Sequence, residues 1–197
     1  MSKKLRLSVL FTIIFSVLAT SSQASQDWNI GIYAGKFYDS TPLKALAGFR
    51  DTSFEDHYML SLSVGKKIWQ SQHLPLSIEI ETMIGQQFGE ANITELAVAP
   101  LLRWDGLPWN YDAPVVFRVA PIGVSWLSKV SPLEPNKSGG EQWLNYFVLD
   151  AGYQLPNHKG SEVFFRLHHR CTYFELLGDD VKNGEDFVGI GYRRYFN

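Results

Sequence analysis

The stretch Phe164 to Leu177, FFRLHHRCTYFELL, places the chain's single cysteine, Cys171, two residues after His169. On an extended strand, residues two apart share a face, so an imidazole and a thiol spaced in this way can come within hydrogen-bonding reach. A histidine that takes a thiol proton creates a thiolate, and a thiolate attacks an acyl carbonyl readily. A complete hydrolytic site also needs an acid to orient the imidazole and donors for the developing oxyanion. His168 and Arg170 fall on the opposite parity, so His168, His169 and Cys171 cannot jointly hold a metal. The bland alternative keeps Cys171 as a small apolar residue at the end of a strand.

The chemistry depends on the elements that carry these residues. Lys3, Lys4 and Arg6, an apolar run from Leu7 to Leu18, and the small-residue pattern Ser22-Gln23-Ala24 read as a secretory signal peptide over residues 1–24. Cleavage after Ala24 leaves residues 25–197 as one domain. Losing three cationic residues makes a chain of formal net charge -2 more acidic still, so nucleic acid is not an expected partner. In an oxidising compartment a single cysteine cannot close an intramolecular disulfide.

The remainder reads as eight strands: Trp28 to Tyr38, His57 to Trp69, Pro75 to Gln87, Ile93 to Trp104, Val115 to Trp126, Trp143 to Gln154, Glu162 to Tyr173 and Asp186 to Phe196. Within them the side chains alternate. Leu76, Ile78 and Ile80 interleave with Ser77, Glu79 and Glu81, and Tyr58, Leu60, Leu62 and Val64 interleave with Met59, Ser61, Ser63 and Gly65. The charge-bearing parity also collects Arg103, Arg118, Asp150, Arg166 and His168. Arg166 and Arg170 are expected to pair with Glu79, Glu81 or Asp150.

Parity alone does not say which face is outside, because a soluble lipid-carrying barrel would turn its apolar face inward. Tryptophans near the strand ends, long connections after strands one, five and seven, and short ones after strands two and six favour an eight-stranded antiparallel transmembrane β-barrel. The closing segment FVGIGYRRYFN resembles the carboxy-terminal strand of outer-membrane proteins, apart from Arg194 in its apolar parity and the final Asn197.

On the residues RLHHRCTYF and NGEDFVGIGYRRYF the chain resembles the PagL-type lipid A 3-O-deacylases, a family of outer-membrane barrels. The resemblance implies an ester hydrolase that removes an acyl chain from lipid A at the outer leaflet, with no metal or cofactor. It implies His169 as base, Cys171 in the position of the family's serine nucleophile, and Glu185 as orienting acid, with Asp186 and Glu175 as alternatives. Thr172 stands where the family has an oxyanion-binding asparagine, and its hydroxyl is the substitute candidate. Lipid A or lipopolysaccharide and the outer membrane itself are the implied partners; monomer and homodimer both stay open. The competing expectation is a non-catalytic barrel with a degenerate triad, acting structurally or through its loops.

Overall fold

The structure is a computed structural model that describes residues 27–40, 48, 52–109, 113–134, 141–171 and 184–197. The signal-peptide expectation, Thr172, Tyr173 and Glu175 therefore lie outside the described residues. The strands are β1 (Trp28–Asp39), β2 (Ser53–Gln70), β3 (Leu76–Phe88), β4 (Ile93–Trp104), β5 (Val115–Ala120), β6 (Val124–Leu127), β7 (Trp143–Gln154), β8 (Ser161–Cys171) and β9 (Asp186–Phe196). Every pairing is antiparallel, and β1 pairs with both β2 and β9, so the sheet closes on itself.

This is an eight-stranded barrel written as nine segments. The expected fifth strand, Val115 to Trp126, is interrupted at Pro121-Ile122-Gly123, and its two halves, β5 and β6, both lie between β4 and β7. The proline has no amide hydrogen for the ladder, and the glycine sits where backbone is crowded. A Cβ on Gly123 would stand 2.7 Å from the Tyr146 carbonyl oxygen and 2.9 Å from that of Val98.

Burial settles the question of faces that parity leaves open. Leu60, Leu62 and Val64 are exposed while Met59, Ser61 and Ser63 are buried, and Glu79 and Glu81 are buried on the strand whose Ile84 is exposed. The apolar face is therefore the outer wall and the charged face is the interior, the reverse of a soluble barrel. Exposed Trp28, Trp69 and Trp143 stand at strand ends on that wall.

Inside, charges that would be costly alone are paired. Arg166 reaches Asp150 at 2.7 Å and Glu81 at 2.8 Å. Arg193 bridges Asp150 at 2.9 Å and Glu162 at 2.9 Å. Arg118 holds Glu162 at 2.6 Å and Glu79 at 3.3 Å, and Arg103 takes the other oxygen of Glu79 at 3.1 Å. Arg193 also reaches Glu81 at 3.1 Å, so four guanidinium groups face four carboxylates and each carboxylate is shared between two arginines. Sharing satisfies the lone pairs that a single partner would leave bare, the condition under which buried ions are tolerated.

The start of β1, the finish of β9 and the turns at 71–75 and 155–160 mark one end of the barrel. The other end is where β1, β6 and β8 finish, at Asp39, Leu127 and Cys171, so β8 carries His169 and Cys171 to that second end.

Candidate active site

Register brings the chemistry together. Asn145 on β7 lies directly opposite Cys171 on β8, and His169 on β8 lies directly opposite Asp186 on β9. Phe37 pairs with Phe187 across β1 and β9, so Tyr38 falls beside Asp186. Tyr38, Asn145, His169, Cys171 and Asp186 all occupy the outward parity of their strands, the parity of exposed Val163 and Phe165 on β8 and of Ile190 on β9.

They form a continuous polar row across four strands. The Tyr38 hydroxyl donates to Asp186 Oδ1 at 3.3 Å, and the same carboxylate oxygen lies 2.6 Å from His169 Nδ1. His169 and Cys171 are two apart on the same face of β8 and interact electrostatically. Asn145 Nδ2 approaches Cys171 Sγ at 3.8 Å. Because Asp186 can only accept when ionised, its short contact fixes the proton on Nδ1 and leaves Nε2 for the thiol.

The row lies on the outer parity yet is well packed. Cys171 is buried and His169 is 8% exposed. Leu167, one step below His169, packs against Tyr38, Leu149 and Val188, and Phe147 sets the edge of its ring against the imidazole at a centroid separation of 6.2 Å. Apolar surroundings of this kind lengthen the reach of every charge interaction in the row.

The expected acid, Glu185, does not join it. Its parity is inward: its carboxylate accepts from Gln87 Nε2 at 2.8 Å and from Arg170 Nη1 at 3.4 Å, and its carbonyl accepts from the Arg170 amide. The residue beside His169 is the alternative, Asp186. Adjacent residues on a strand face opposite sides, so a shift of one position exchanges a hydrogen-bond partner of His169 for an interior ion-pair partner.

Arg170 also departs from expectation. It pairs with Glu134 at 2.6 Å and with Ser125 Oγ at 2.9 Å, not with Glu79, Glu81 or Asp150, whereas Arg166 does pair with Glu81 and Asp150. Burial pushes the Glu134 carboxyl above the usual carboxylate range, even though Arg170 pulls it down. His168 points inward, with Nε2 3.2 Å from Glu95 Oε1 and its ring against Tyr146. Among the described residues no group of three or more His, Cys, Asp or Glu is placed to hold a metal ion.

Tyr38 and Asn145 were not anticipated. Asn145 carried a legible signal, since it is a polar residue between Trp143 and Phe147 in the outward parity of an otherwise apolar face. Tyr38 carried none, because a tyrosine near a strand end reads equally well as an interfacial aromatic.

No protein-family model matches the sequence, and no curated protein matches it significantly. Solved structures do match the fold. The outer membrane enzyme PagL aligns over 84% of this chain and 98% of its own, with a TM-score of 0.55 at 14% identity. Neisserial surface protein A aligns over 89% of this chain and 100% of its own, with a TM-score of 0.46 at 13% identity. The outer membrane protein OprG from Pseudomonas aeruginosa aligns over 88% and 99%, with a TM-score of 0.38 at 14% identity. At these identities the likeness to PagL speaks for the barrel architecture.

Proposed function

We propose that this chain is an outer-membrane lipid A deacylase that hydrolyses an ester-linked acyl chain, with Cys171 as nucleophile, His169 as base and Asp186 as the acid that orients the base. The observation that carries the reading is the Asp186–His169–Cys171 row on the outward face of the barrel wall. A nucleophile on the wall, at the end of the barrel away from the start of β1 and the finish of β9, addresses a molecule lying beside the barrel and not one passing through it. The exposed apolar belt supports a bilayer on that side. The motif resemblance supports lipid A as the lipid.

In the reaction, His169 Nε2 takes the thiol proton as sulfur bonds to the acyl carbonyl carbon. The carbonyl electron pair moves onto oxygen. When it returns, the ester C–O bond breaks, and the departing alkoxide takes the proton from His169. Water, deprotonated by the same imidazole, then attacks the thioester and releases a fatty acid and the free thiol. Asp186 stays ionised throughout and steadies the imidazolium.

A second reading, a non-catalytic barrel in which Cys171 simply packs, draws on the complete burial of the thiol. Mass spectrometry of lipid A from cells expressing the parent, Cys171→Ala and Cys171→Ser chains separates the two. We expect the parent to remove one acyl mass and the Ala variant to remove none. Intact lipid A with the parent and both variants, with barrel insertion verified, would leave the non-catalytic reading standing.

A further inference from the structure

An acyl-transfer site needs a donor aimed at the oxygen on which negative charge collects, and the triad alone supplies none. The interruption between β5 and β6 bears on this gap. Gly123, freed from a regular ladder, donates its amide hydrogen to Asn145 Oδ1 at 3.1 Å, and its carbonyl accepts from the Tyr146 amide at 3.2 Å. The side-chain amide of Asn145 is thereby turned with its oxygen towards Gly123 and its nitrogen towards Cys171. The nitrogen makes only a long contact with the Pro121 carbonyl, 3.5 Å, and stands 3.8 Å from Cys171 Sγ. Asn145 is itself buried, 3% exposed, on a face whose neighbours are apolar.

We infer that Asn145, held by the Pro121-Ile122-Gly123 interruption, is the oxyanion donor of the site, acting from the strand next to the nucleophile. The inference rests on the cysteine-hydrolase reading and adds to it a catalytic residue from a different strand. An N–H group this close to sulfur is within reach of an oxygen on the carbon that sulfur attacks. It gains a short hydrogen bond only once that oxygen is charged, which is the condition for lowering the barrier without tightening the ground state. The burial of Asn145 and its tether to Gly123 fix the dipole beforehand, so no reorganisation is required as charge develops. Cys171 and Asn145 are a directly opposed pair, so the spacing of donor and nucleophile is set by the ladder itself.

Two variants of the full-length barrel test this. Asn145→Asp keeps the acceptor for Gly123 and removes the donor; Asn145→Leu matches the volume and removes both. Folding is checked by heat-dependent migration in detergent gels. Three quantities are read: turnover of lipid A, affinity for a long-chain alkyl trifluoromethyl ketone, and the rate of Cys171 alkylation by iodoacetamide. The ketone forms a hemithioketal whose oxygen needs the same donor, whereas alkylation builds no oxyanion.

We expect kcat to fall about 10²- to 10³-fold in both variants with KM within a few-fold, the scale on which a single oxyanion donor acts. Ketone affinity should fall in parallel, and the alkylation rate of Asn145→Leu should stay within a few-fold of the parent. If both folded variants keep the parental kcat and ketone affinity while Cys171→Ala is inert, the Asn145 inference fails and the triad reading survives. If the parent does not turn over lipid A but binds the ketone, equal affinity in parent and variants overturns the inference, and an approximately 10²-fold loss upholds it for a different acyl substrate. A parent that neither hydrolyses lipid A nor binds the ketone overturns both readings.

Discussion

Asp186 Oδ1 and His169 Nδ1 meet at 2.6 Å across a directly opposed pair of strands β9 and β8. The ladder, not a flexible loop, sets this contact, so it should be sensitive to the chemistry of the acid and insensitive to that of its sequence neighbour. We expect Asp186→Asn to lower deacylation on the order of 10²- to 10⁴-fold, because an amide can present its N–H to the imidazole and trap the wrong tautomer. Glu185→Gln should change turnover only a few-fold. Rates measured on purified lipid A in mixed micelles decide this, and the reverse order of effects would return the acid's role to Glu185.

The Tyr38 hydroxyl adds a second partner for the same carboxylate oxygen at 3.3 Å. Tyr38→Phe removes that donor and keeps the ring that packs on Leu167. A hydrogen bond to a charged group contributes about 1.5–3 kcal/mol at ordinary length, and this one is long. We expect a three- to ten-fold loss of kcat with the unfolding midpoint little changed; a large fall in stability with unchanged kcat would make Tyr38 a packing residue only.

Gly123 couples the wall of the barrel to the site. Gly123→Ala would force a methyl group to within 2.8 Å of the Ala99 side chain as well as against two carbonyl oxygens. Backbone must move to accommodate it. We expect a loss of about 1–3 kcal/mol, the usual cost of overpacking, together with reduced turnover. Urea unfolding in lipid vesicles, read alongside activity, checks both.

Removing Arg166 leaves Asp150 and Glu81 each short of a partner. Arg166→Ala should cost roughly 3–5 kcal/mol, as expected when one member of a buried ion pair is deleted. The double variant Arg166→Met with Asp150→Leu should recover part of that loss, since an apolar pair strands fewer charges. If Arg166→Ala unfolds at the parental urea concentration, the interior web is not what holds the barrel shut.

Much of this was legible in the sequence. Alternation in β2 and β3 separated lipid-facing from interior side chains because the side-chain period of a strand is two and one face carries charge. The His169 and Cys171 pairing followed from the same rule within one strand. Asp186 was harder to choose over Glu185, because the connection between β8 and β9 hides the register and a slip of one residue inverts every face. Asn145 was harder still. Its relation to Cys171 exists only across a ladder between strands separated by a turn, and the interruption that orients it looked like an ordinary Pro-Ile-Gly sequence inside one continuous strand.

Arg118, Arg166 and Arg193 are each no more than 1% exposed, and they interlock with their carboxylates across the lumen. A hydrated ion crossing that layer would have to displace guanidinium groups from their counter-charges, so the molecule is expected to be electrically silent in a planar bilayer. Conduction through the lumen is therefore not expected of it, and the interlocked charges are expected to give the outer wall a stiff backing that would hold the imidazole and the thiol at a fixed spacing.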